Sequence, residues 1–140
     1  SATKRQFVDT NVLVYAYDST AELKPEVNGV AQAPMVDKSG FLSVQVLQEF
    51  YVTVTRKINK PISPSNAARI IQSFAVWPIH RPELEDIIKA ISIQQELSIS
   101  FWDAMIIWSA LCTSCEILWT EDLNHKQRYR HLVITSPFRD

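Results

Sequence analysis

The chain has 140 residues, 46% of them hydrophobic and 21% charged, with a formal net charge of −1 at pH 7. That length suits one domain, 1–140, with a core large enough to need no covalent staples. A near-neutral balance argues against a generally basic coat for nucleic acid, though not against a local basic patch. No apolar run approaches the roughly 20 residues that span a bilayer, so no membrane association is expected. No leader pattern is visible, and a cytoplasmic location is the default expectation.

The chain opens on Phe7-Val8, a short apolar run, then Asp9-Thr10-Asn11, then an apolar stretch at helical spacing through Val12, Leu13, Tyr15 and Ala16. This reads as a buried strand that ends abruptly with a helix starting at once. Asp9 therefore falls at the carboxyl end of a strand, where ligands of parallel sheets collect. Both Asp9 and Asn11 are also good helix caps, so capping alone is an equal reading of this segment. Residues 19–40 carry Pro25, Gly29, Pro34 and Gly40, which interrupt helices; loosely helical pieces are expected there.

Phe41-Leu42 reads as a very short strand, and Ser43 as the cap of a helix reaching about Arg56. Leu47, Phe50, Tyr51 and Val54 share one face of it, with Gln45, Glu49, Thr53 and Arg56 on the opposite, polar face. A basic connection, Arg56-Lys57-Ile58-Asn59-Lys60, leads to a helix at Ser63-Pro64, a cap followed by proline in the first turn. Val76-Trp77-Pro78-Ile79-His80 is β-prone, but Pro78 confines it to an edge or irregular strand. Pro82 opens a further helix with Leu84, Ile87, Ile88, Ile91 and Leu97 expected inward and acids in its first turn.

Ser100-Phe101-Trp102-Asp103 opens the most apolar helix, expected to be buried between neighbours. Ile117-Leu118-Trp119 and Leu132-Val133-Ile134 read as strands on either side of Thr120-Glu121-Asp122 and a basic stretch, Lys126 to His131. Short strands alternating with helices imply an α/β fold: a central parallel sheet of short strands covered on both faces. Cys112 and Cys115 form a lone C-x-x-C at the end of a helix, and no further ligands are spaced for zinc; both are read as reduced thiols.

Asp9, Glu49, Asp103 and Asp122 recur at strand ends or near helix starts. Each has an ordinary explanation: Asp103 sits at capping-box spacing from Ser100, Asp122 fits an Asx-turn, and Glu49 a solvated helix face. Jointly they point further. Strand ends of a parallel sheet share one edge, and carboxylates gathered there repel unless a divalent cation joins them. Oxygen-only ligands select Mg²⁺ or Mn²⁺ over zinc, and such a site suits phosphodiester hydrolysis by metal-activated water.

Val8-Asp9-Thr10-Asn11-Val12-Leu13, Leu42-Ser43 through Glu49-Phe50-Tyr51, Ser100-Phe101-Trp102-Asp103-Ala104 and Thr120-Glu121-Asp122-Leu123-Asn124-His125 resemble, in order, the signatures of PIN-domain ribonucleases. The nearest resemblance is to VapC-type toxins of prokaryotic toxin–antitoxin pairs. It implies a single PIN domain with α/β/α layering and an Mg²⁺- or Mn²⁺-dependent endoribonuclease. Asp9, Glu49, Asp103 and Asp122 would be the metal-binding, catalytic acids, with Thr10, Asn11 and Thr120 as polar support. It further implies a homodimer, inhibition by a small antitoxin, and a structured RNA target such as tRNA or rRNA. Glu121 is the alternative to Asp122 as ligand; the T-x-D spacing favours Asp122. Relatives usually carry glycine after the histidine of the last signature, whereas this chain has Lys126, which bears on the loop beyond Asp122.

Positive charge for RNA would come from Arg56 and Lys57 or from Lys126 and Arg128, with Tyr129 placed to stack on a base. A solvated basic loop is the competing reading for each, and His125 is expected to be solvated. Two rival functions remain: a non-catalytic PIN-like module that binds RNA or protein, and a receiver-type phosphoacceptor. The latter wants a pair of acids at the first strand end, and Asp9 has no acidic neighbour before Asp18.

Overall fold

The computed structural model describes residues 4–17 and 40–137. The expectation for residues 19–39 lies outside them. Six strands form one sheet in the order β3-β2-β1-β4-β6-β5. They are β1 (Gln6–Val8), β2 (Gly40–Ser43), β3 (Ile79–His80), β4 (Ile117–Trp119), β5 (Arg128–Tyr129) and β6 (Leu132–Thr135). The helices are α1 (Thr10–Tyr17), α2 (Val44–Arg56), α3 (Pro64–Ser73), α4 (Leu84–Leu97) and α5 (Phe101–Cys112). Among them α1, α2 and α3 pack together, and α4 packs on α5, giving the helical layers of an α/β/α sandwich.

The chain enters at the centre of its sheet. β1 pairs in parallel with β2 on one side and with β4 on the other, with Phe7 opposite both Phe41 and Leu118. The chain first runs outward through β2 to β3, then returns across β1 to β4 and β6. That reversal of direction makes a switch point between β1 and β4, where diverging loops leave a crevice at the carboxyl edge. Asp9 follows β1 and Thr120 to Asp122 follow β4, so both banks of the crevice are polar.

Apolar strands and helix faces hold this edge in place. Phe7, Leu42, Leu118 and Leu132 are fully buried in the sheet. Phe50 of α2 and Phe74 after α3 meet edge to face at 5.9 Å, and Phe74 meets Trp77 edge to face at 5.8 Å.

 Gly40 opens β2 directly under Trp77; a Cβ there would stand 1.9 Å from the indole, so only glycine lets β2 and the segment before β3 approach this closely.

Local signals account for most element ends. Ser43, Ser63 and Ser100 each accept a hydrogen bond from the backbone N–H three residues on, so the serines read as caps are caps. Pro64 occupies the first turn of α3, as expected. β3 is a two-residue edge strand after Pro78, which cannot donate to a ladder.

Three expectations are corrected. The sheet is not wholly parallel: β5 runs antiparallel to β6, and the stretch read as a basic loop is half of a tight hairpin turning at Arg130 and His131. Arg130 takes φ 57° in that turn, the positive φ that two-residue hairpins demand. Secondly, α4 begins at Leu84 rather than Pro82, because Glu83 and Asp86 form a reciprocal capping box. Thirdly, Leu84, Ile87, Ile88 and Ile91 are exposed, not inward. α4 carries two apolar stripes, and the one with Ala90 and Ile93 is buried. A small residue at the contact lets α4 and α5 approach, which leaves the bulkier stripe in solvent.

Candidate active site

Asp9 is the buried centre of the crevice. It lies between β1 and α1, its carbonyl accepts the first helical bond from Leu13 N–H, and its Oδ1 accepts from Thr10 N–H at 2.7 Å. That bond to the first residue of α1 occupies one of the carboxylate oxygens. Oδ2 accepts from the hydroxyl of Thr120 at 2.8 Å.

Thr120 is fully buried and joins the two banks. Its O–H donates to Asp9, and its lone pairs face the backbone N–H of Asp122 at 3.1 Å and Asn11 Nδ2 at 3.5 Å. The bond from Asp122 N–H closes a local turn of the kind a hydroxyl two residues upstream makes. This is the physical content of the T-x-D spacing: the same hydroxyl orients one acid and fixes the backbone of the other. Asn11 completes the bridge by accepting from Glu121 N–H at 3.4 Å, and Thr10 ties α1 to α2 by donating to Val46 O at 3.3 Å.

Glu49 projects from α2, steadied by Gln45 one turn earlier, whose Nε2 donates to Glu49 Oε1 at 3.0 Å. The same Nε2 reaches the carbonyl of Trp102 at 3.2 Å, which stitches α2 to the first turn of α5 beside Asp103. Gln45 was expected on the open polar face of α2, yet it is buried, and its Oε1 has no partner among the described residues. Its role was missed in the sequence, although the Gln-to-Glu spacing of four was a visible signal. Asp103 N–H is capped by Ser100 Oγ at 3.1 Å, so the capping reading holds there.

Neighbouring acids act on Asp9, Glu49 and Asp103. Burial pushes Asp9 up to about 7, against the lowering by its two hydrogen bonds, and the charges of Asp122 and Glu49 add to the rise. Burial raises Glu49 too, with Asp103 and Asp122 contributing, while Gln45 and Lys57 oppose them. Asp103 rises through burial and then through Asp122. Asp122 thus acts on the other three acids, and Glu121 lines the same cleft beside it. A cleft of about 620 Å³ is lined by Asp9, Asn11, Glu49, Glu121 and Asp122, and a smaller recess of about 260 Å³ by Asp103 and Asp122.

The candidate RNA contacts divide. Lys57 is exposed and lines the larger cleft, whereas Arg56, Lys126 and Arg128 are exposed outside it. Tyr129 is corrected: it is buried, and its hydroxyl donates to Glu96 across to α4, so its ring belongs to the core and cannot stack on a base. His125 is also tied down, with Nδ1 accepting from Ser136 N–H at 2.9 Å.

The PIN domain family matches residues 7–130, the span from β1 to the β5–β6 turn. This chain is a PIN domain. No protein of curated function matches it in sequence. Several solved structures share its architecture. A toxin–antitoxin complex from Klebsiella pneumoniae has 15% identity and a TM-score of 0.71, covering 96% of this chain and 99% of that one. VapBC2 from Rickettsia felis, bound to a fragment of its promoter DNA, has 18% identity and a TM-score of 0.66, covering 94% and 97%. VapC20 of Mycobacterium tuberculosis, a sarcin–ricin loop cleaving toxin, has 18% identity and a TM-score of 0.61, covering 81% and 86%. At such identities the likeness is one of fold. PIN domains are nuclease domains, and the acids of this one line the switch-point crevice where ligands of open α/β sheets bind.

Proposed function

We propose that this PIN domain, spanning 1–140, is a divalent-metal-dependent endoribonuclease and the toxin of a toxin–antitoxin pair. Its substrate would be structured RNA such as tRNA or rRNA. The observation that carries the reading is the switch-point cleft lined by Asp9, Glu49 and Asp122, with Asp103 and Asp122 in the adjoining recess and the buried Asp9 pushed up to about 7.

The donors fit a hard cation. All four are carboxylates, hard oxygen donors of the kind Mg²⁺ and Mn²⁺ take. Asp9, Glu49, Asp103 and Asp122 would hold Mg²⁺ or Mn²⁺. Bound there, the ion would polarise the phosphodiester and the attacking water and neutralise the leaving oxygen. The chain's own part is positional. Thr10 N–H and Thr120 Oγ fix both oxygens of Asp9, Gln45 fixes Glu49, and Thr120 fixes the backbone at Asp122. Lys57 on the rim supplies positive charge for the RNA backbone.

The partners follow the same reading. An antitoxin supplies a cationic segment to the acidic cleft, as the complexes named above pair such folds with an antitoxin. The exposed Leu84, Ile87, Ile88 and Ile91 stripe would meet a second copy of the chain, and an RNA substrate would suit a cytoplasmic protein. Ile88→Lys should convert the dimer to a monomer in sedimentation.

The deciding experiment is cleavage of a tRNA and rRNA mixture by purified protein with Mn²⁺ or Mg²⁺, with excess chelator, and with Asp9→Asn. Discrete fragments that need both the metal and Asp9 establish the nuclease. Failure to bind metal together with failure to cleave would replace it with the binding-module reading.

A further inference from the structure

We propose that His80, Asp86 and Cys112 form a second metal site, built for a thiophilic divalent cation such as Zn²⁺ and separate from the acidic cleft. The three residues come from three elements: the end of β3, the first turn of α4 and the last residue of α5. One ligand atom of each lies within 4.8 Å of the others.

The spacing suits a single ion. His80 Nε2 is 3.2 Å from Cys112 Sγ and 3.5 Å from Asp86 Oδ2. Two ligands bound at about 2.0–2.3 Å with a tetrahedral angle stand about 3.3–3.6 Å apart. The two gaps from His80 therefore already match that span, and the Asp86 and Cys112 ligand atoms lie within 4.8 Å of each other. A nitrogen, a thiolate and a carboxylate are a zinc-type donor set, whereas the acidic cleft offers oxygen alone.

The groups behind the ligands are also in place. His80 Nδ1 is bonded to Ser109 Oγ at 2.8 Å, which leaves Nε2 as the nitrogen facing the cysteine and the aspartate. Ser109 is buried, so this orientation is fixed from within the core. Asp86 is held by Trp108 Nε1 on Oδ1 at 2.8 Å and by Glu83 N–H on Oδ2 at 2.7 Å. Such outer contacts set ligand direction in metal sites. Cys112 is exposed, which gives an ion a way in and leaves a fourth position for water.

Binding would form a metal–sulfur bond and release the thiol proton to solvent. The ion would clamp the start of α4 to the end of α5 and to β3. Cys115 takes no part: it is buried, and its sulfur meets Thr113 Oγ1 at 3.3 Å. The C-x-x-C spacing therefore misdirects. The partners of Cys112 are distant in sequence, at positions 80 and 86, and no spacing rule links them.

The test is Co²⁺ titration of the reduced full chain at neutral pH, followed by thiolate-to-cobalt charge-transfer absorption and by back-titration with Zn²⁺. One equivalent should produce the band, Zn²⁺ should abolish it, and excess Mg²⁺ should leave it. Cys112→Ser should remove it, His80→Gln should weaken binding at least about 10-fold, and Ser109→Ala should weaken it about 10–100-fold. Asp9→Asn and Cys115→Ser should leave it intact. Thermal melting checks that each variant is folded, and Zn²⁺ should raise the melting temperature of the parent but not of Cys112→Ser. No charge-transfer band, or a band that survives His80→Gln at full affinity, overturns the proposal.

Discussion

The two ends of α5 carry two clusters of ionisable groups, and they answer to opposite electrostatics. Asp103 lies in the first turn and Cys112 is the last residue, nine positions or about 14 Å along the axis. At the first end, carboxylates crowd one another and their proton affinities rise, Asp9 to about 7. At the second, Asp86 falls below the ordinary carboxylate range even against its own partial burial, because Glu83 N–H, Trp108 and His80 all favour its charge. An acid site short of positive charge and an acid site already supplied with donors are different devices. On the proposed function the first would take a hard cation; the second is a cradle of donors around a thiol pushed up to about 11 by burial and by Asp86.

The sharpest way to break the comparison is activity. Asp103→Asn removes one acid at the first end and should lower RNA cleavage by at least about 10³-fold, while Cys112→Ser at the other end leaves it within about 2-fold. Single-turnover cleavage of one fragment under saturating Mn²⁺ reads both. Loss of activity in Cys112→Ser would mean the two clusters are coupled through α5.

Stability without metal comes next. Asp9 binds its proton more tightly folded, at about 7, than unfolded, at 3.8, so the stability it contributes is full below pH 4 and is lost as pH rises to 7. Asn at position 9 cannot lose that proton. In chelator at pH 8, Asp9→Asn should therefore be more stable than the parent by on the order of 2–4 kcal/mol, and the gain should vanish near pH 4. Urea unfolding at the two pH values measures it. A gain of equal size at both would assign the effect to something other than the buried charge.

Thr120 tests how far positioning matters. Thr120→Ala removes the donor to Asp9 and the acceptor of Asp122 N–H together, and Mn²⁺ affinity should fall about 10–100-fold. Thr120→Ser keeps the hydroxyl and should stay close to the parent. Calorimetric titration separates the two, and equal weakening in both would show that the methyl group's packing, rather than the hydroxyl, is what counts.

What was legible follows the range of the interactions. The caps at Ser43, Ser63 and Ser100 are local bonds three residues long, and they were read correctly. That Asp9 and Asp122 share one edge was legible because a parallel sheet sends strand ends the same way, and β1 and β4 do pair in parallel. Pairings that sequence spacing does not encode were missed. Gln45 reaches Trp102, Tyr129 reaches Glu96, and His80 reaches Cys112, each across more than thirty positions. The exposed stripe of α4 was misread because apolar periodicity marks a face without saying whether the domain itself or a partner covers it. An amphipathic helix with two apolar stripes has one more than a single core can use.

Lys126 is the smallest effect and the most local. It stands where similar proteins usually carry glycine, and its φ is 63°, in the left-handed region that costs a side-chain-bearing residue about 1 kcal/mol. The backbone cannot relax out of it easily, since Lys126 N–H is bonded to Ile134 O at 2.6 Å and Gln127 carries the next bond to the same strand. Lys126→Gly should relieve that strain but loosen the unfolded chain, for a net gain of about 0.5 kcal/mol. Lys126→Asn, which tolerates the left-handed region, should fall between. If instead the ammonium group holds RNA, both variants should weaken substrate binding equally and make it less salt-dependent, whatever their stability. Stability and salt slope thus report on different atoms of the same residue, and only the backbone atoms are fixed by the loop beyond Asp122.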